Sequence, residues 1–354
     1  MKILFVIAIL AVAFASSISL YFLLATPLTS ATTTLSGNEI AVDSLKFINV
    51  MKNNDGKYYY QSECTDDSGC KRDSDSYIQT GAWPVLAYAG LYQSTKNQQY
   101  LDKMNNEANN LMSACNGNED ECMWILVQMA KAYQISQNSQ YLDFAKKLAD
   151  RLLTNNNEKD AMMTGIEARE FALAYELTGD QKYLNEARSR LQKSKAAWNL
   201  SVDSYNDPIY SSGTFVLYRF ACWTELAELE IAKASSDTKI LANAVAFFDS
   251  ANIPGNVRNL EQLSAIQPCI EALLNLNQQT GSAQYFDQAK ATSQYVITYR
   301  WDSPLDIAKK YNGDGAYLFR FYAGDDLKTV TDTGYMIYLL SRMPNEQFEI
   351  LSWR

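Results

Sequence analysis

A recurring phrase limits the possible fold more than any other feature of this sequence. In each copy, a residue near the end of one helix is followed by a short polar turn. Eight positions after that first residue comes a second, bulky residue, and the two form a pair. Three clear copies and two weaker ones pair Tyr92 with Tyr100, Tyr133 with Tyr141, Tyr175 with Tyr183, Ala232 with Ile240, and Asn277 with Tyr285. The second positions lie 41, 42, 57 and 45 residues apart, whereas a tetratricopeptide solenoid repeats at about 34. The repeat therefore predicts long helical hairpins.

Two kinds of helical segment alternate along the chain. Segments such as 83–91 and 215–223 are apolar nearly all round, which predicts burial on every side. Segments such as 141–153 carry one apolar stripe and are predicted to lie outside. Twelve helices are predicted, near 39–52, 82–94, 98–113, 121–136, 139–154, 162–178, 181–197, 214–234, 238–250, 259–279, 283–299 and 332–343. Six inner and six outer helices predict an all-α, closed (α/α)6 toroid.

The N-terminus is unlike the rest of the chain. After Lys2, residues 3–25 are uncharged and mostly apolar, which is long enough to cross the ~30 Å hydrocarbon core of a membrane. The alternative is a signal peptide cleaved near Ala15, but its apolar region is normally only ~7–15 residues long. We therefore expect a signal anchor at 1–25, a Ser/Thr-rich stalk at 26–37 and the toroid at 38–354. The body is expected outside the cytoplasm, with the membrane as a partner, or secreted if the segment is cleaved.

The cysteine content fits an exported protein. Six cysteines allow 15 pairings, and buried free thiols are the alternative. Sequence spacing suggests two local bridges, and the remaining two cysteines lie at equal depth on consecutive inner helices. The predicted bridges are Cys64–Cys70, Cys115–Cys122 and Cys222–Cys269.

Charge and composition exclude several functions. The formal net charge of −9 argues against nucleic acid as a partner, because phosphate binding needs a basic surface. The chain has no histidine, which excludes Ser-His-Asp catalysis and zinc sites of the HExxH type. No nucleotide-binding motif is present, so no cofactor is expected. Asp66, Asp67, Asp73 and Asp75 are oxygen ligands of the kind that calcium prefers, but the EF-hand spacing is missing and no metal is predicted.

Two phrases, together with the helix count, resemble the six-hairpin glycosidase superfamily. They are Gln79-Thr80-Gly81-Ala82-Trp83-Pro84 and Tyr175-Glu176-Leu177-Thr178-Gly179-Asp180-Gln181-Lys182-Tyr183-Leu184. The resemblance covers residues 39 to 343 and implies the toroid fold. Because both phrases are architectural, it says less about the reaction than about the fold.

Loop lengths predict where the site lies. Three links from an outer to an inner helix are long, at 53–81, 199–213 and 300–331, and all lie on one face of the ring. Long loops in a compact domain are usually functional, although these could simply cap the toroid. Aromatic rings on this face could stack on sugars. The predicted substrate-binding residues are Tyr77, Trp83, Trp124, Tyr205, Tyr210 and Tyr335.

A pair of carboxylates across a glycosidic bond is sufficient for hydrolysis. The candidates near the starts of inner helices, or within the loops, are Asp120, Glu167, Asp207 and Asp332. Each has a structural alternative. Asp120 and Asp332 could cap helices, Glu167 and its neighbour Glu170 could pair with Arg169 or Arg219, and Asp207 could form a turn before Pro208.

The expected function is a glycan-processing, glycoside hydrolase-like enzyme. Two other functions stay open: a non-catalytic toroid that binds glycan or protein at the cell envelope, and an assembly component held near the membrane.

Overall fold

The computed structural model describes residues 33–65, 69–72, 77–118, 122–155, 161–196, 198–199, 204–205, 214–257, 260, 262–301, 315–317 and 326–350. Within these residues lie thirteen α-helices and seven short strands. The helices are α1 Gly37–Val50, α2 Ala82–Thr95, α3 Gln98–Cys115, α4 Leu126–Ser136, α5 Ser139–Thr154, α6 Ala161–Thr178, α7 Gln181–Ala196, α8 Thr214–Ser235, α9 Thr238–Ala251, α10 Ile253–Asn256, α11 Leu263–Thr280, α12 Ala283–Arg300 and α13 Val330–Ser341. The strands are β1 Thr33–Ser36, β2 Gln61–Thr65, β3 Gly69–Arg72, β4 Trp198–Asn199, β5 Ser204–Tyr205, β6 Asp326–Thr329 and β7 Gln347–Ile350.

Six helices form the inner ring. In the order α2, α4, α6, α8, α11 and α13, each contacts the next, and α13 closes the circle on α2. Five outer helices each pack on the inner helix that precedes them, and α1 packs on α13 and α2. The predicted all-α toroid of twelve helices is therefore confirmed, with the four-residue α10 as an addition. The predicted helix at 259–279 starts only at Leu263, and the one at 121–136 begins with a 3₁₀ turn, Met123–Ile125.

Backbone hydrogen bonds explain the eight-residue repeat. Four positions after the first residue of a pair, the backbone takes a left-handed conformation. The N–H of this left-handed residue donates to the carbonyl oxygen of the first residue of the pair at 2.8 Å. This happens at Lys96 to Tyr92, Gln137 to Tyr133, Gly179 to Tyr175 and Gly281 to Asn277. The next residue begins the outer helix, as where the Asn97 side chain accepts the N–H of Gln99 at 3.0 Å. One left-handed residue followed by one N-cap reverses the chain, which is why the spacing recurs.

Short strands fasten both faces of the ring. On the tight-turn face, β1 pairs antiparallel with β7, and Thr33 lies opposite Ile350. Residues 33–36, predicted to belong to the stalk, thus pair with the last strand of the toroid. On the opposite face, β2 pairs with both β3 and β6, so the first and last long loops share one sheet. The described part of the chain contains no helix long and apolar enough to cross a membrane; residues 3–25 lie outside it.

Two of the predicted disulfides are confirmed. Cys115–Cys122 bridges the end of α3 to the turn before α4, and Cys222–Cys269 joins the inner helices α8 and α11 with a Cα–Cα distance of 5.0 Å. For the third, the β2–β3 register places Cys64 directly opposite Cys70, but the positions of these two side chains are outside the description.

Candidate functional site

An aromatic pocket of about 670 Å³ opens on the long-loop face, where α2 and α13 begin. Its walls contain three aromatic residues, Tyr60, Tyr77 and Trp83, and three polar ones, Gln79, Thr80 and Thr331. The ring of Trp83 packs on that of Tyr335 with centroids 5.1 Å apart, and Trp223 approaches Tyr335 from the other side at 6.2 Å. Three inner helices therefore hold the aromatic layer at the base of the pocket.

The predicted aromatic residues meet different outcomes. Tyr77 and Trp83 line the pocket, and Tyr335 lies behind Trp83 with only 2% of its surface exposed. Trp124 is half-buried in the turn before α4 and is not part of the pocket wall. Tyr205 belongs to β5, whose side chains are outside the description, as is Tyr210 altogether.

Sequence reasoning missed some residues of the pocket wall. Tyr60 is not among the predicted substrate-binding residues, and Gln79 and Thr80 are noted only as part of a phrase that marks the fold. Their signal was their position, since each lies within or next to a segment that the long first loop or an inner helix brings to this face.

A buried ion pair crosses the toroid beneath the aromatic layer. Arg169 of α6 donates to the carboxylate of Glu271 of α11 at 2.6 Å, and the same carboxylate accepts the hydroxyl of Tyr335. Glu230 of α8 lies 3.7 Å from the same guanidinium. Arg169 and Glu271 are 3% and 2% exposed. Four inner helices thus meet through one charged network, which supports the aromatic floor through Tyr335.

Electrostatics keep this network ionised. Burial alone would raise the pKa of Glu271, but the charges of Arg169 and Arg342, together with the hydroxyl of Tyr335, outweigh burial and hold that pKa below its usual value. Burial likewise works against the charge on Arg169, yet Glu271 and Glu230 raise its pKa. The pKa of Tyr335 lies well above its ordinary value because of burial and the neighbouring Glu271. At neutral pH the network is therefore a guanidinium, a carboxylate and a neutral phenol.

Glu167, a candidate acid, is fully buried and forms an ion pair with an arginine of an outer helix. Arg190 of α7 donates to its carboxylate at 2.9 Å. The suggested pairing with Arg169 is wrong, because residues two apart on a helix do not share a face, and Arg169 binds Glu271 instead.

Asp332 is 2% exposed and lies in the first turn of α13. The prediction that Asp332 is the N-cap of this helix is wrong. Thr329 is the N-cap, its hydroxyl accepts the N–H of Asp332 at 2.9 Å, and it donates to the Asp332 carboxylate. Asp120 and Asp207 lie outside the described residues, as do the four aspartates weighed for calcium. Among the residues that are described, no group of three or more metal-ligating side chains occurs.

Comparison with known structures supports the architecture directly. A GH76 α-mannanase from Bacteroides thetaiotaomicron matches with a TM-score of 0.65 at 14% identity, covering 88% of this chain and 96% of that chain. An inactive α-1,6-mannanase variant from Salegentibacter sp. HEL1_6, in complex with α-1,6-mannotriose, gives 0.64 at 14% identity over 87% and 99%. An unsaturated glucuronyl hydrolase specific for heparin gives 0.62 at 13% identity over 87% and 95%.

The chain has the six-hairpin glycosidase-like (α/α)6 toroid fold. No protein-family model matches the sequence, and a search of curated proteins gives no match. At such low identities the similarity establishes the fold, and the function of this toroid has to be argued from its site.

A glycine in α13 sets the position of Trp83. A Cβ at Gly334 would lie 2.9 Å from both the Cβ and the backbone oxygen of Trp83. We expect Gly334→Ala to force α2 and α13 apart and to lower the free energy of unfolding by about 1–3 kcal/mol, measured by urea denaturation.

Gly81→Ala is the matched control for this substitution, because a Cβ there meets nothing closer than 3.6 Å and the backbone is helical. A Gly334→Ala protein as stable as the Gly81→Ala protein would show that the contact between α2 and α13 is not tight.

Proposed function

We propose that this toroid binds a neutral oligosaccharide in its aromatic pocket and processes it as a glycoside hydrolase-like enzyme. The observation that carries the proposal is the pocket itself. Exposed faces of Tyr77 and Trp83 stand beside the amide of Gln79 and the hydroxyls of Thr80 and Thr331. Pyranose rings present apolar C–H faces and a rim of hydroxyls, and this combination of groups matches both.

The charge of the pocket favours a neutral sugar over an acidic one. Among its described lining residues there is no lysine or arginine, and Arg169 below is already bound to Glu271. A net charge of −9 would also repel an anionic glycan. One structural neighbour is specific for heparin, whereas another is in complex with α-1,6-mannotriose. An α-1,6-linked manno-oligosaccharide is therefore the substrate class that we propose.

For catalysis we propose Asp120 and Asp207 as the acid and base. Glu167 and Asp332 are held by Arg190 and Thr329, which leaves these two of the four predicted acids for the reaction. In the sequence, Asp120 comes shortly before the inner helix α4, and Asp207 comes between α7 and the inner helix α8. Conversion of either to asparagine should abolish release of reducing sugar from α-1,6-mannan while sugar binding persists.

Binding depends on the aromatic residues. We expect Tyr77→Ala and Trp83→Ala each to weaken α-1,6-mannotetraose binding at least about tenfold, which is ~1.4 kcal/mol, in isothermal titration calorimetry. Tyr77 is 53% exposed, so its removal should leave the melting temperature unchanged. Tyr299→Ala, an exposed aromatic of α12, serves as the control and should bind like the wild type. Equal affinity in all four proteins would disprove sugar binding at this pocket.

A non-catalytic glycan-binding toroid is the second candidate. It is favoured by the fact that Glu167, Glu271 and Asp332 each have a structural partner. Binding of mannotetraose without any release of reducing sugar, by the wild type and both Asp variants alike, would select this function.

We further propose that the body is exported and tethered through residues 3–25. Two disulfides support an oxidising compartment. Extraction of the full-length protein from membranes by alkaline carbonate would contradict the tether.

A further inference from the structure

A second pocket, of about 460 Å³, lies on the same face beside the aromatic pocket. It is bounded by the turn that follows α1 and by the last two turns of α3. Five polar side chains, Asn54, Asp55, Lys57, Asn110 and Ser113, stand around it, and Glu107 lies on its floor. We call it the outer pocket.

The wall and floor of the outer pocket are rigidly held. The side-chain oxygen of Asn53 accepts hydrogen bonds from the backbone N–H groups of Asp55 and Lys57 at 3.0 and 2.9 Å. The backbone N–H of Asn53 donates to the carbonyl oxygen of Lys57 at 2.8 Å. On the floor of the pocket, Glu107 is 7% exposed, and its carboxylate accepts a hydrogen bond from the ammonium group of Lys52 at 2.6 Å. Tyr58 is 3% exposed beside it. These contacts fix the shape of the outer pocket before any ligand arrives.

Tyr77 and Ile78 line both pockets. The ring of Tyr60 meets that of Tyr77 edge-on with centroids 5.9 Å apart, which orients the ring, yet Tyr77 remains 53% exposed. It is one of few large apolar side chains of the described residues to be so exposed. Tyr77 is thus a ridge between two adjoining pockets.

We propose that the outer pocket is a second sugar-binding subsite, and that one oligosaccharide crosses Tyr77 to occupy both pockets. The inference rests on the proposed function, which supplies the sugar in the aromatic pocket. The amide of Asn110, the hydroxyl of Ser113 and the carboxylate of Asp55 can exchange hydrogen bonds with sugar hydroxyls, and the Tyr77 ring offers a face to stack on. The ligand is therefore a chain of several sugars, longer than the aromatic pocket alone would select.

The test fills the outer pocket and varies the length of the sugar. Asn110→Trp places an indole in the pocket, and Asn106→Trp is the matched control. Asn106 is an exposed asparagine one helical turn away on α3 that does not line the pocket. Affinities are measured by calorimetry for α-1,6-linked manno-oligosaccharides of two to six sugars. Melting temperatures confirm that both variants are folded, and Ser113→Trp repeats the block from a second position.

In the wild type and in Asn106→Trp, affinity should rise with length, by tenfold or more between the shortest and longest sugars. In Asn110→Trp the affinity for the disaccharide should stay unchanged, and the rise with length should disappear. If the rise persists in both Asn110→Trp and Ser113→Trp while Tyr77→Ala still weakens binding, the outer pocket is not a subsite and the proposed function stands. If the wild type binds none of these sugars, both proposals are overturned.

Discussion

Replacement of Arg169 by methionine is expected to lower the free energy of unfolding by about 3–5 kcal/mol at neutral pH. The guanidinium is the partner of Glu271, which is 2% exposed and whose pKa lies below its usual value. Without Arg169 a buried carboxylate loses its nearest countercharge. Urea denaturation of the two proteins measures the difference.

The pH dependence follows from the same pair. A lowered pKa of Glu271 in the folded state contributes stability that is present above its unfolded value of about 4.3 and is lost as pH falls. The deficit of Arg169→Met should therefore be largest at neutral pH and shrink below about pH 4, where the carboxylate is neutral in the variant.

Two controls separate the loss of charge compensation from general damage. Arg169→Met with Glu271→Gln removes both charges of the closest pair and keeps an acceptor for Tyr335, so much of the lost stability should return, except for what the loss of Arg169 costs Glu230 at 3.7 Å. Arg188→Met breaks an exposed pair with Asp237 at 3.6 Å and should cost less than about 1 kcal/mol. A double variant as unstable as Arg169→Met would contradict the charge explanation and indicate a packing defect.

Removal of the Cys222–Cys269 bridge by a double change to alanine should lower the free energy of unfolding by roughly 4 kcal/mol. The bridge closes a loop with a sequence separation of 47, and chain entropy lost from the unfolded state grows with loop length. It also joins two neighbouring inner helices, so its loss loosens the ring directly.

The Cys115–Cys122 bridge provides the internal comparison. Its separation is only 7, for which the same relation gives roughly 2.4 kcal/mol. Measurements on both double variants in urea should rank them in this order. If the short bridge matters more, the stabilisation comes from native contacts near Cys122 and not from chain entropy.

Much of the fold followed from local sequence patterns. The eight-residue spacing predicts the hairpin turns because one left-handed residue and one N-cap suffice to reverse the chain, as at Gln137 and Asn138. The alternation of all-apolar and striped helices predicts two layers, since burial on all sides or on one side determines which residues can be polar. The bridge between Cys222 and Cys269 followed from their equal depth on parallel helices.

The site was less predictable because its contacts join residues far apart in the chain. Helical periodicity identifies which face of α6 carries Glu167, but not that Arg190 of the next helix lies opposite. Capping rules pointed to Asp332, whereas Thr329 has the extended backbone that an N-cap requires. The outer pocket has no sequence signature, because a turn after α1 and the end of α3 form it together.

By itself, the sequence determined the class of fold, the number of hairpins, two confirmed disulfides and the face on which long loops gather, because periodicity, capping and loop length are local properties. Only the tertiary structure decided which charges pair across the ring and which aromatic faces stay open. Arg169 and Glu271 are 102 positions apart, and their pairing depends on ring closure that no local pattern encodes. Tyr77 remains exposed for the same reason: its surroundings come from three separate segments.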